Sequence, residues 1–139
     1  MKHINRSIIV LLVLAGFLLS ACGGQIPVTG EKIAPSTLEE IEGSELQRVI
    51  LTEKAAERLG IETVSVSGNT VPYAAVIYDI EGNTWVYTNP EPLIFVRAPI
   101  VIDFIEGDTA VLFEGLDSNT TVVTVGVSEL YGTETGVSK

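Results

Sequence analysis

The sequence predicts a mainly β domain, a small β-roll or barrel-like sheet with one short helix, carried behind an export signal. Many short apolar or alternating stretches follow Gly60, and turn residues separate them at about every 8–12 positions. One stretch of strong helix formers, Lys54–Leu59, precedes them. The folded part is expected at residues 46–135, a length that suits one domain with a modest core.

The N-terminus has the pattern of a bacterial export signal. Lys2 and Arg6 give a positive start, and an uninterrupted apolar stretch runs from Ile8 to Leu19. A helix of that length spans about 18 Å, well short of the ~30 Å hydrocarbon core of a bilayer. Its length therefore favours a cleaved signal peptide, residues 1–21, over a transmembrane anchor.

The segment Leu19-Ser20-Ala21-Cys22 resembles the lipobox of bacterial lipoproteins. In that class the cysteine thiol receives a diacylglyceryl group, and the signal is cut just before it. Cys22 is the only cysteine of the chain, which favours this reading over an ordinary signal with an incidental cysteine. Acyl chains contribute about 0.8 kcal/mol per buried CH₂, enough for stable anchoring. We expect an extracytoplasmic protein attached to a membrane through lipid on Cys22, and which membrane stays open.

Residues 22–45 are expected to form a flexible acidic tether. The segment contains four glycines, two prolines and five acidic residues, and no apolar period crosses it. A short helix at residues 36–41 is the alternative, because Ser36 and Glu39 have the spacing of a capping box.

The folded part begins with a helix that Thr52 caps and Gly60 ends. Strands are then expected at 61–67, 71–78, 84–88, 93–105, 109–113 and 121–125. The turns between them are expected at 67–70, 79–83, 89–92, 106–108 and 115–120, and residues 136–139 form a tail.

Composition excludes several functions. The chain has 8 basic and 18 acidic residues, and without residues 1–21 it retains six basic residues for a net charge of −12. Nucleic-acid binding is not expected, because it needs clustered Lys and Arg. The mature chain has no His, no Met and no free thiol, so we expect no zinc or copper site and no His-based catalysis. Residues 79–83 lack the loop length of an EF-hand. We predict no enzyme, no metal and no cofactor besides the covalent lipid.

Three residues are candidates for binding. Trp85 and Tyr87, two positions apart on one strand, either form a stacking platform for a ligand or pack in the core. Arg97 is the only basic residue between Arg58 and Lys139. It either binds an anionic ligand or pairs with an acid on a solvent-facing strand.

Two segments, Val49–Val64 and Val71–Asp79, resemble the periplasmic adaptor subunits, or membrane-fusion proteins, of resistance-nodulation-division efflux pumps. The first reads VILTEKAAERLGIETV and the second VPYAAVIYD. Residues 82–88, 95–97, 101, 107–108, 114–116 and 122–126 follow the order of that family's membrane-proximal domain. The family places a lipoyl domain, a helical hairpin and a β-barrel between the two segments, where this chain has only residues 67–70.

The resemblance implies that this chain is a membrane-proximal domain whose two segments follow each other directly, without the three domains that the family places between them. It implies a non-catalytic module that docks on an efflux transporter or on a full-length adaptor. A lipoprotein that captures a small molecule or peptide is the alternative, and a remnant of a longer adaptor is a third reading.

Overall fold

A computed structural model describes residues 33–136. Residues 1–32 and 137–139 lie outside the described residues. They include the predicted signal peptide, the predicted lipidation site Cys22 and the first part of the predicted tether. The helices and strands, in chain order, are β1 (Ser36–Glu40), β2 (Gln47–Leu51), α1 (Glu53–Leu59), β3 (Glu62–Pro72), a 3₁₀ turn (Tyr73–Ala75), β4 (Ile77–Tyr78), β5 (Thr84–Glu91), β6 (Ile94–Ile100), β7 (Ile102–Glu106), β8 (Thr109–Val125) and α2 (Val127–Thr135).

The strands form one antiparallel sheet in the order β1-β2-β6-β5-β8-β3. The short strand β4 adds to β5, and β7 adds to β8. The prediction of a mainly β fold is confirmed. The barrel-like closure is not found, because within residues 33–136 the end strands β1 and β3 do not pair with each other. Closing a barrel requires every edge to pair, whereas β1 ends in Glu39 and Glu40, which favour water.

The sheet buries side chains on both faces. Val86 and Tyr87 are consecutive in β5 and both are buried, so they point to opposite faces. Val122 and Val123 of β8 repeat this arrangement. The helix-covered face is lined by Val49, Leu51, Ala55, Ile77, Tyr87, Phe95, Val123, Val127 and Leu130. The second face is lined by Val66, Val71, Ala75, Val86, Ile100, Ala110, Leu112 and Val122.

The predicted helix α1 is confirmed together with both of its caps. The Thr52 hydroxyl accepts a hydrogen bond from the backbone N–H of Ala55 at 3.2 Å. Gly60 has a left-handed backbone, and its N–H donates to the carbonyl oxygens of the last turn. Ala55 is the buried position of the helix, so packing on the sheet holds this two-turn helix in place.

The structure differs from the predicted tether, because residues 36–40 form strand β1 rather than coil or helix. This strand pairs in register with β2, and the N–H of Thr52 donates to the carbonyl oxygen of Pro35 at 3.0 Å. Backbone hydrogen bonds at a sheet edge need no apolar period, so the sequence pattern does not reveal such a strand.

Two predicted turns are replaced by continuous strands. The expected turn at 67–70 is part of β3, where Gly68 has φ of +79° and pairs with Leu116 between two shifts of register. Glycine allows such a bulge without ending the ladder. The turn expected at 115–120 also lies within a strand, β8. The pairing of β8 with β3 continues on both sides of this segment, through Leu116 and Thr120.

A second helix, α2, was not predicted. Gly126 starts it with a left-handed backbone, and Val127 and Leu130 bury its inner face. Its sequence contains Gly132 and two threonines, which are weak helix formers, so packing rather than propensity stabilises it. Among the described residues, neither helix has the length and apolar character needed to cross a membrane.

Candidate functional site

The three candidate binding residues lie together on the helix-covered face of the sheet. Tyr87 of β5 stands directly opposite Arg97 of β6 in the antiparallel register. Trp85 lies two residues before Tyr87 and therefore points to the same side. The side chains meet below α2, which covers this part of the sheet.

An ion pair joins the sheet to α2. The Nε atom of Arg97 lies 2.8 Å from Oε2 of Glu134, and the two side chains are 14% and 4% exposed. The hydroxyl of Tyr87 donates a hydrogen bond to the same oxygen. The N–H of Arg97 Nε is not aligned with that oxygen, so this contact is an ion pair without hydrogen-bond geometry.

Two aromatic rings lie against the Arg97 guanidinium. Its central carbon is 4.7 Å from the ring centre of Trp85 and 5.5 Å from the ring centre of Tyr131. Both distances are within the range of cation–π attraction, which grows when the cation is withdrawn from water. Arg97 is therefore stabilised by one carboxylate and two aromatic faces.

Asp79 fixes the outer end of this network. Its Oδ2 accepts from Nε1 of Trp85 at 3.0 Å and from the Asn83 amide at 2.9 Å. Its Oδ1 accepts from the backbone N–H groups of Glu81 and Asn83. The side-chain hydrogen bond from Asn83, with those from Trp85 and the backbone, lowers the pKa of Asp79 to about 2. The turn at 79–83 was predicted, and this carboxylate organises it.

Tyr87 shows the opposite shift. Burial raises the pKa of its phenol far above 10, and the hydrogen bond to Glu134 adds to the effect. The phenol therefore keeps its proton throughout the physiological range and acts as a donor to Glu134.

The arrangement binds parts of the protein to each other. The Glu134 carboxylate contacts both Arg97 and Tyr87, so the polar groups of this face are already engaged. Of the three candidates, only Trp85 lines the open groove of about 620 Å³ beside β5 and β6. Tyr78 and Val101 line the same groove.

Sequence reasoning missed Glu134, Tyr131 and Asp79 as members of this network. A signal for the first two was present, because positions 127, 130, 131 and 134 have the spacing of one helical face. Arg97 pairs with Glu134 from this helix rather than with an acid on a solvent-facing strand.

Within residues 33–136, no three His, Cys, Asp or Glu side chains converge on a point where a metal ion would sit. In the comparisons with known proteins, the chain matches no protein-family model, no curated protein and no solved structure.

Proposed function

We propose that this protein is a lipid-anchored, extracytoplasmic interaction module that is accessory to a membrane transporter. The observation that carries the proposal is the ordered resemblance, from Val49 to Gly126, to the membrane-proximal domain of efflux-pump adaptor subunits. The lipobox-like segment ending at Cys22 adds the anchor.

The topology supports a contiguous membrane-proximal domain. The two resembling segments, Val49–Val64 and Val71–Asp79, meet in the single strand β3. Only the bulge around Gly68 lies where the family inserts three further domains. The long pairing of β3 with β8 then connects the start of the domain to its end.

The network of ion pair and hydrogen bonds around Glu134 and Asp79 supports a role in binding through the surface rather than in chemistry. Glu134 is engaged by Arg97 and Tyr87, and Asp79 receives four hydrogen bonds within its own hairpin. Such engaged groups hold a scaffold rigid, and a rigid scaffold presents a fixed surface to a partner.

Chemical crosslinking in native membranes, followed by mass spectrometry, tests the proposal. The full-length protein with a C-terminal affinity tag is crosslinked with an amine-reactive reagent and then purified. We expect recovery of a transporter or adaptor component, enriched over an equally abundant tagged lipoprotein of unrelated fold. Recovery of no transporter component would contradict the proposal.

The alternative, a lipoprotein that captures a small molecule or peptide, has one observation in its favour. Trp85 and Tyr78 line the open groove beside β5 and β6. The support is weaker, because Tyr87 is fully buried and Arg97 is paired, so neither lines that groove. Saturable quenching of Trp85 fluorescence by a periplasmic extract fraction would favour this alternative.

A further inference from the structure

Three large apolar side chains, within or next to the paired strands β7 and β8, face water. Val101, between β6 and β7, is 64% exposed, Phe104 is 51% exposed and Phe113 is 73% exposed. Single exposed apolar residues are ordinary, but adjacent ones that include two aromatic rings mark interaction surfaces.

The register of the hairpin places these residues on one side of the sheet. Ile102 pairs with Leu112, which is buried, so their neighbours Val101 and Phe113 point outward. The N–H of Phe113 donates to the carbonyl oxygen of Val101 at 2.8 Å, which makes the two residues cross-strand neighbours.

A bulge in β7 adds Phe104 to this side. Strict alternation after the inward-facing Ile102 would turn Phe104 inward, but the register shifts and Phe104 pairs with Val111. Val111 lies two residues before Phe113 on the same side of β8. Bulges recur where a side chain is re-aimed for function, and this one exposes an aromatic ring that alternation would bury. We call Val101, Phe104 and Phe113 the apolar docking face.

Charges around the docking face have a single sign. Asp103 is adjacent in sequence to Phe104, and Glu106 lies two residues after Phe104 on the same side of β7; both are exposed. Residues 98–136 contain seven acids and no Lys, Arg or His. We propose that the docking face binds a protein partner that presents apolar side chains framed by Lys and Arg.

Charge complementarity selects this partner over two other occupants. A second copy of the chain would bring two sets of Asp103 and Glu106 together, and like charges facing each other oppose binding. An anionic membrane surface would be repelled in the same way. A basic rim on a protein partner removes the repulsion and adds attraction at the edge of an apolar contact.

The inference rests on the proposed role as an interaction module, and a site-specific photocrosslink tests it in native membranes. A benzophenone amino acid replaces Val101 in the full-length protein, and the same residue at Ile80, which is 99% exposed in the β4–β5 turn, is the control. We expect a protein adduct from position 101 only. The partner peptide, sequenced by mass spectrometry, should contain apolar residues flanked by Lys or Arg.

Two further variants of the protein that carries the benzophenone amino acid at position 101 separate two contributions. One changes the apolar residues of the docking face, and the other changes the acidic residues around it. Phe113→Ser should lower the adduct yield at least about tenfold. Asp103→Asn with Glu106→Gln should lower it severalfold and weaken its dependence on salt, whereas Glu57→Gln on α1 should leave it unchanged. Membrane abundance and protease resistance check that each variant folds.

Several outcomes would overturn the inference. These are adducts with lipid or with a second copy, a partner peptide without Lys or Arg, a yield no higher than at position 80, or no effect of Phe113→Ser. If amine crosslinking recovers a transporter component while position 101 gives no adduct, the docking face is wrong and the proposed function stands. If amine crosslinking recovers none, the proposed function fails.

Discussion

Arg97 and Glu134 form an ion pair across the interface between β6 and α2, with Nε and Oε2 separated by 2.8 Å. Tyr87 donates to the same carboxylate oxygen, and the rings of Trp85 and Tyr131 lie against the guanidinium. Together with the packing of Val127 and Leu130, the pair fixes how α2 sits on the sheet. Removing one partner of this ion pair should therefore change the free energy of unfolding, which can be measured.

Replacing Glu134 by Gln should destabilise the domain by about 3–5 kcal/mol, because the Arg97 cation then stays buried without a counter-charge. The amide can still accept from Tyr87, so the loss reports the charge. Equilibrium urea unfolding followed by Trp85 fluorescence measures it. Glu129→Gln, an exposed change on the same helix, should shift the free energy of unfolding by less than about 0.5 kcal/mol.

A double variant shows whether the cost comes from the unpaired cation. Arg97→Met combined with Glu134→Gln should lose less stability than the sum of the two single changes, since neither charge is left alone. If the double variant loses as much free energy of unfolding as the two single variants together, the two groups do not interact.

Gly126 and Gly82 give a matched pair for the helix start. Their φ angles are +88° and +87°, so alanine meets the same backbone strain of about 1–2 kcal/mol at both sites. A Cβ at Gly126 would also collide with the Cδ1 atom of Ile61, whereas a Cβ at Gly82 meets open space. Gly126→Ala should therefore cost about 1 kcal/mol more than Gly82→Ala.

Urea unfolding of both alanine variants gives this difference directly. Adding Ile61→Val, which removes the colliding methyl group, should reduce it. Equal losses at the two glycines would show that Ile61 moves aside freely and that strain alone sets the cost.

Local signals account for the parts of the fold that the sequence predicts. Thr52 and Gly60 cap α1 through atoms of the same helix, and Asp79 organises a turn within five residues. Strand β1 pairs with the neighbouring β2 through backbone groups, which need no apolar pattern, and α2 joins a helical spacing of buried positions to weak helix formers. The candidate site follows the same rule, since Trp85, Tyr87 and Arg97 stand out in the sequence. The helical spacing places Glu134 on the inner face of α2, but only the fold shows that this acid, among 18, contacts Arg97 and Tyr87.

Stability should fall in acid through Asp79. Its pKa is lowered to about 2 in the folded protein from a value of 3.8, so the folded state releases this proton more readily than the unfolded state. The stabilisation is therefore complete above about pH 4 and is lost as the pH falls towards 2. Asp79→Asn removes it at every pH.

Urea unfolding of the wild type and of Asp79→Asn at pH 7, 4 and 2.5 tests this dependence. The gap in free energy between the two proteins should be widest at pH 7 and should narrow towards pH 2.5. Asp117→Asn, at an exposed position of β8, is the control for loss of one acid. A gap that does not change with pH would show that the hairpin is held without the ionised carboxylate.

The last prediction concerns the proposed lipid anchor at Cys22, a residue outside the described structure. Cells fed an alkyne-tagged fatty acid should incorporate it into the wild-type protein and not at all into Cys22→Ala, because the chain has no other thiol to form the thioether. Ser44→Ala, which leaves the lipobox-like segment intact, should be labelled like the wild type. Fatty-acid label is the decisive readout, since an uncleaved signal could hold the Cys22→Ala precursor at the membrane without lipid. Label that persists in Cys22→Ala would place the modification elsewhere and remove the basis for an anchor at this position.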